Sequence, residues 1–180
     1  MNPRAQAILD FWFVKTPAEK RFKKDLAFDQ LIKDNFLKDY ELASANEYDD
    51  WQDTPMGTLA LIILFDQFSR NMFRDNKKAF DQDTKARLIV SDAVHAGFLE
   101  EMDQSQRFFM LLPLIHSEEI LDHEMAYFLL DKYLRDHPGL TCLLYTSDAA
   151  DDSLRVDLGG RRIIKKCVRR RGRWRRGMRC

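Results

Sequence analysis

Residues 59–74 read Leu-Ala-Leu-Ile-Ile-Leu-Phe-Asp-Gln-Phe-Ser-Arg-Asn-Met-Phe-Arg, an apolar run that turns polar without an intervening glycine or proline. Thr54 and Pro55 precede it, and a threonine followed by a proline is typical of the first turn of a helix. The pattern therefore predicts one helix from Pro55 to about Phe73. Because its first half is apolar on all sides, we expect this helix to lie at the centre of the core.

The segments on both sides of this helix also have helical periodicity. Between Asp25 and Ala43, apolar residues recur every three or four positions, which predicts an amphipathic helix. No segment alternates between apolar and polar residues as an exposed strand does. The fold class is therefore predicted to be all-α, and the short connections favour a tetratricopeptide-like stack of antiparallel helices. The remaining helices are predicted at residues 3–13, 83–95, 104–116 and 118–135.

Charge and cysteine are unevenly distributed along the chain. Residues 1–141 contain 17 Lys and Arg against 25 Asp and Glu, whereas residues 142–180 contain 12 against 4. All three cysteines, Cys142, Cys167 and Cys180, lie in the second segment. The formal net charge of zero therefore combines an acidic segment with a basic one. A basic tail of this kind is typical of proteins that contact nucleic acid or membrane surfaces.

Back-translation of residues 142–180 into codons suggests another origin for this tail. Cys142–Asp151 back-translates to DNA that resembles a transposase-based sequencing adapter. Val156–Lys165 back-translates to DNA that resembles the complement of a flow-cell primer. We therefore expect a natural helical domain of residues 1–141, followed by a non-native and disordered tail of residues 142–180.

The alternative interpretation is a genuine basic tail. In that case Arg169–Arg176 would hold phosphate groups, and Trp174 would stack on a base. The adapter interpretation explains residues that a basic tail would not need. We therefore expect no specific nucleic-acid partner.

The first 141 residues have features of a soluble cytoplasmic domain. They contain no cysteine, and the first residues include Arg4, Gln6 and Asp10, which do not fit a secretory signal. The apolar runs Leu59–Phe65 and Phe108–Ile115 are far shorter than the roughly 20 residues that span a bilayer. We expect a cytoplasmic location and no membrane partner.

A first polar group lies at the end of the central helix. Asp66 and Arg70 are four residues apart and can form an ion pair, while Gln67, Asn71 and Arg74 share an adjoining face. One interpretation is a structural network that holds neighbouring helices together. The other is an anion pocket in which both arginines donate to a carboxylate or phosphate. The residue pattern alone favours the structural network, since such ion-pair networks are common.

A second polar group surrounds the start of the last predicted helix. His116, Glu119 and His123 have a spacing that could bring them to one face as metal ligands, but a capped helix start explains Glu118 and Glu119 without a metal. No metal and no cofactor are therefore expected. If His116 lies beside Asp66, it becomes a candidate acid or base, with Glu118 as a second candidate.

These stretches resemble the bacterial domain of unknown function 924. The resemblance implies a tetratricopeptide-like helical fold and assigns no activity. Members of that family continue with further helices and an Arg-Phe-Gly-Arg-Phe-Pro-His-Arg-Asn-like motif, which residues 141–180 do not match, so the resemblance also implies a C-terminal truncation. The resemblance rests on residues 8–13, Phe28-Asp29, Trp51, residues 59–71, Phe73-Arg74, Ala79-Phe80 and residues 112–118.

Two functional hypotheses follow from the sequence. The first is a soluble helical binding or interaction module that has an unknown protein partner and in which the polar cluster is chiefly structural. The alternative is an enzyme, or a protein that binds a small anionic ligand. The alternative would use Asp66, His116 and Glu118 as catalytic candidates and Gln67, Arg70, Asn71 and Arg74 as ligand-binding residues.

Overall fold

The computed structural model describes residues 2–134, and the predictions for residues 135–180, including the disordered tail, lie outside the described residues. No strand occurs in the described range, which confirms the all-α fold class. The α-helices are α1 (Pro3–Leu9), α2 (Ala18–Arg21), α3 (Leu26–Ser44), α4 (Pro55–Ile62), α5 (Ser69–Met72), α6 (Asp83–His95), α7 (Gln104–Ile115) and α8 (Ile120–Tyr133). Two π-helical segments (Asp10–Lys15 and Ile63–Phe68) and three 3-10 helices (Asp49–Asp53, Lys77–Phe80 and Phe98–Glu101) complete this part of the chain.

Capping residues set the helix boundaries that the sequence indicates. The Thr54 hydroxyl accepts a hydrogen bond from the Gly57 N–H at 3.2 Å, so α4 begins at Pro55 as predicted. Gly97 follows α6 with a φ of +78°, a left-handed conformation that glycine adopts without a steric penalty. When each π-helical segment is counted with the α-helix that it continues, all six predicted helices have both ends within about two residues of the predicted positions, which is the usual uncertainty of helix ends.

The start of the last helix differs slightly from the prediction. The predicted helix begins at Glu118, whereas α8 begins at Ile120. The reason is local: the Ser117 hydroxyl accepts from the Glu119 N–H at 3.0 Å and donates to Asp122 at 2.6 Å. The Ser117 side chain thus binds the Glu119 N–H in a turn that precedes the helix, so α8 begins two residues later than predicted.

The central helix is buried as its composition predicts. From Leu59 to Phe65 every residue is at most 1% exposed, because α4 contacts α1, α6 and α7. The helix widens into the π-helical segment Ile63–Phe68 at the point where the sequence turns polar. The apolar half therefore fixes the position of the polar half that follows it.

Aromatic rings join the two π-helical segments. The Phe68 ring lies 5.6 Å from the Trp12 ring and 5.9 Å from the Phe11 ring, both edge-on. Phe36 of α3 and Phe109 of α7 pack on the same group of rings. Edge-to-face pairs of this kind add directional stability to the apolar contact. They hold the polar end of the central helix in a fixed position.

Helix α8 is the last described helix, and it packs on α7. The tetratricopeptide-like arrangement of the whole stack stays a prediction. Within residues 2–134, no helix is both long enough and apolar enough to cross a bilayer.

Candidate functional site

Asp66 is the centre of the polar cluster. It lies in the π-helical segment of the central helix and is only 1% exposed. Its Oδ1 is 3.0 Å from Arg70 Nη1 and 2.8 Å from His116 Nδ1, and its Oδ2 accepts from Gln67 Nε2 at 2.5 Å. A buried carboxylate needs such donors, because an unpaired buried charge is strongly unfavourable. The predicted pair of Asp66 and Arg70 is therefore present, and His116 joins it.

Arg70 connects the central helix to the start of α6. Its Nη1 and Nη2 donate to the Asp83 carboxylate at 3.2 and 3.0 Å, and Nη1 also donates to the Asp66 carbonyl oxygen at 2.8 Å. The Phe80 ring lies over the guanidinium group, 5.4 Å from its central carbon. The paired donors of Arg70 are thus already bound to carboxylate and carbonyl oxygens of the protein.

His116 is held by one ring nitrogen and exposes the other. Because a carboxylate can only accept, its contact with Asp66 places the neutral imidazole's proton on Nδ1. Nε2 then carries a lone pair, and it has no partner among the described residues. The side chain is 34% exposed, so this nitrogen is within reach of a small molecule. A carboxylate that orients a histidine in this way is the usual arrangement for an imidazole that accepts a proton or hydrogen bond.

Asn71 and Arg74 belong to a separate cluster. Both bind Asp29 of α3: Asn71 Nδ2 donates to Oδ1 at 2.7 Å, and Arg74 donates to Oδ2 and Oδ1 at 2.6 and 2.7 Å. The sequence prediction grouped Asn71 and Arg74 with Gln67, but Gln67 turns to Asp66 instead. Asp29 was missed as a polar partner, and its position on the largely apolar buried face of α3 is the signal that could have found it.

The charge of Asp29 is maintained by its partners. Burial alone would raise the pKa of Asp29, but the hydrogen bonds from Arg74 and Asn71 outweigh burial and lower the pKa below its ordinary value. The same contact raises the pKa of Arg74. This cluster is a bidentate ion pair that fastens α3 to the end of α5.

Acidification tests the Asp29 cluster. A lowered folded-state pKa stabilises the fold above the ordinary carboxyl value of about 3.9, and this contribution is lost as the pH falls through the folded-state pKa. We therefore expect the free energy of unfolding of the unsubstituted chain to fall more steeply with acidification than that of Asp29→Asn. Urea unfolding from about pH 6 down to about pH 3 measures both slopes. Equal slopes for the unsubstituted chain and Asp29→Asn would show that the fold does not stabilise the ionised form of Asp29.

The residues around the start of α8 do not come together as a set of metal ligands. His123 Nε2 contacts the carbonyl oxygen of Ser117, whereas His116 faces Asp66. Glu118 is exposed and makes no ion pair with a described residue. Among residues 2–134, no three His, Cys, Asp or Glu side chains are grouped as metal ligands. Of the catalytic candidates, Asp66 and His116 come together and Glu118 stays apart.

A third ion pair extends the cluster along α6. Arg87 Nη1 donates to the Ser117 hydroxyl at 2.8 Å and to Asp122 at 2.7 Å. Burial would raise the pKa of Asp122, but the hydrogen bonds that Ser117 and Arg87 donate to its carboxylate lower this pKa below its ordinary value. Asp83 and Arg87 are one helical turn apart on α6, so this helix binds both Arg70 beside Asp66 and Ser117, the residue that follows His116. The position of the imidazole is therefore fixed by three helices.

Fold and site together define an all-helical domain with a histidine positioned by a buried carboxylate. The chain belongs to a family of bacterial proteins of unknown function, DUF924, which matches residues 8–171. A solved structure of a protein of unknown function from Agrobacterium tumefaciens is similar, with 34% sequence identity and a TM-score of 0.69. The similarity covers 72% of this chain and 73% of that one. No curated protein matches the chain.

Proposed function

We propose that the chain is a helical binding domain that recognises a small ligand through the imidazole of His116. The ligand donates a hydrogen bond to Nε2 from a hydroxyl or an ammonium group. The observation that carries this proposal is that Nδ1 is held by the buried Asp66 while Nε2 has no described partner. The side chain is thus oriented for a contact that the described protein does not itself make.

Charge favours a hydrogen-bond donor over an anion as the ligand. Asp66, Asp83 and Arg70 together carry a net charge of −1 when His116 is neutral, and an anion entering the site would meet this negative charge. The two arginines that could bind an anion are also occupied, Arg70 by Asp83 and Arg74 by Asp29. The expectation of an anion pocket built on Arg70 and Arg74 is therefore replaced here by a site built on His116.

Comparison with the other buried aspartates supports a role beyond stability. Asp29 and Asp39 are each bound by an arginine, Arg74 and Arg4 respectively, and neither contacts a histidine. Asp66 has its arginine and, in addition, a half-exposed imidazole. It also lies in a π-helical segment, a rare geometry that occurs frequently at functional sites. An arginine alone would have been sufficient to neutralise this carboxylate.

Ligand screening of matched histidine variants tests the proposal. We expect polyols, amino alcohols and small amines to include compounds that raise the melting temperature of the unsubstituted chain. His116→Gln should abolish that shift. The matched control is His95→Gln, because His95 is also exposed but bonds only a backbone carbonyl, that of Ser91. His95→Gln should retain the shift.

Other outcomes of this screen would contradict the proposal. A shift with phosphates or carboxylates that is lost in Arg70→Lys would favour the anion pocket. The absence of any shift that depends on His116 would favour a purely structural cluster and an interaction module whose protein partner binds elsewhere. In each case the folded state is checked by circular dichroism of the same samples.

We also propose that this domain works in the cytoplasm as a tetratricopeptide-like helical stack and that residues 142–180 are not part of its natural sequence. The support for the second point is the adapter-like reading of Cys142–Asp151 and Val156–Lys165, in that order and in one frame. Resequencing the source locus should give a different codon 142 followed by an open frame. A genomic frame that encodes Cys142–Lys166 unchanged would refute this origin.

A further inference from the structure

The segment between α1 and α3 exposes large apolar side chains next to exposed lysines. Val14, Phe22 and Leu26 are 77%, 69% and 70% exposed. The lysines of the same segment, Lys15, Lys20, Lys23 and Lys24, are exposed as well. Only Lys24 forms an ion pair with a described residue, Asp75, at 3.4 Å. We call residues 14–26 the basic corner.

The charge of the basic corner is opposite to that of the surrounding domain. Residues 14–26 contain five Lys and Arg against two Asp and Glu. The rest of residues 1–141 contains 12 against 23. An anionic partner is therefore attracted to this corner and repelled by the rest of the domain, which fixes the orientation of any complex.

The basic corner is held rigidly despite its exposure. Arg21 donates to the carbonyl oxygens of Trp12, Phe13 and Thr16 at 3.0, 3.1 and 3.1 Å. Its guanidinium also lies over the Phe13 ring, at 5.6 Å from the centroid. The exposed side chains are thus presented by an ordered backbone, so little conformational entropy is lost when they bind.

We propose that the basic corner attaches the domain to an anionic lipid surface. Val14 lies in the π-helical segment Asp10–Lys15, Phe22 directly follows α2 and Leu26 begins α3. The Phe22 ring stacks on Phe109 at 6.0 Å, yet all three residues stay at least 69% exposed. A protein interface instead needs a closely packed apolar core. A fluid membrane interface accepts separate apolar side chains, and anionic headgroups attract the lysines around them. This attachment lies at the surface and involves no membrane-spanning helix, and it differs from our expectation of no membrane partner.

Tryptophan substitution within the full chain tests insertion directly. The probe is vesicles of phosphatidylcholine with or without about a third of phosphatidylglycerol, an anionic lipid that supplies the surface charge. In Phe22→Trp we expect a blue shift of the added emission and quenching by brominated lipid, only when the anionic lipid is present. The matched control is Leu121→Trp on α8, which is 77% exposed against 69% for Phe22 but is flanked by acidic residues. It should show neither change.

Charge reversal distinguishes vesicle binding by the basic corner from vesicle binding by residues 142–180, whose 12 Lys and Arg would attract the same anionic lipid. Lys20→Glu with Lys23→Glu should abolish the quenching in the Phe22→Trp background, whereas Lys38→Glu on α3 should leave it unchanged. Quenching that is equal in Phe22→Trp and Leu121→Trp would overturn the proposal. Binding of the corner to soluble polyglutamate without lipid quenching would also overturn it, in favour of an acidic protein partner.

Discussion

Replacement of Asp66 by alanine should lower the free energy of unfolding by about 3 kcal/mol, the lower end of what breaking a buried ion pair costs. The carboxylate is 1% exposed and binds Arg70, His116 and Gln67 at once. Its loss leaves these donors without their acceptor at the end of the central helix. The cost stays at the lower end because Arg70 keeps Asp83 and the side chains of Arg70 and His116 are partly exposed. Urea unfolding at neutral pH measures the difference.

Asp83→Ala is the matched control for this loss. Asp83 binds the same guanidinium group as Asp66, but its side chain is partly exposed at the start of α6. We expect a cost of less than about 1 kcal/mol, as for other solvent-exposed ion pairs. Equal costs for Asp66→Ala and Asp83→Ala would show that burial of Asp66 does not hold the cluster together.

Replacement of Gly57 by alanine should be equally damaging for a steric reason. A Cβ atom at Gly57 would lie 2.3 Å from the backbone oxygen of Trp51 and 2.8 Å from Thr54 Oγ1. Relief of this overlap requires the 3-10 helix Asp49–Asp53 to move away from the first turn of α4. We expect a loss of about 3 kcal/mol, the upper end of the usual cost of overpacking. Thermal and urea unfolding of the variant measure it.

The second described glycine provides the comparison. Gly97 has open space around its Cβ position but a φ of +78°. Gly97→Ala should therefore cost only about 1 kcal/mol, the strain of a left-handed residue. If Gly97→Ala costs more than Gly57→Ala, the close approach of α4 to Trp51 is not the dominant constraint.

The sequence predicted the helices well because their signals are local. Thr54-Pro55 and Gly97 mark helix ends through their own backbone preferences, and the structure confirms both. The all-apolar run of the central helix also predicts its burial. The π-helical segments were not predicted, and the ring contacts that join them, such as that of Phe68 with Trp12, link positions far apart in the chain.

The site could be predicted only in part because its key contacts join distant positions. The pair of Asp66 and Arg70 is visible as a four-residue spacing. His116 is 50 residues away from Asp66, and Asp29 is 45 residues away from Arg74. Only the packing of α7 and α3 on the central helix brings these groups together. The predicted cluster therefore divides into two, one around Asp66 and one around Asp29.

The protonation of the histidine rings tests most directly whether His116 presents Nε2 to a ligand. The measurement is side-chain nitrogen NMR of the full chain during titration with the polyol and amine panel. We predict that free His116 carries its neutral-form proton on Nδ1, that His123 carries it on Nε2, and that a binding compound shifts only the Nε2 resonance of His116. A proton on Nε2 of free His116, or a panel that shifts the resonances of His95 as much as those of His116, would show that His116 does not bind the ligand through Nε2.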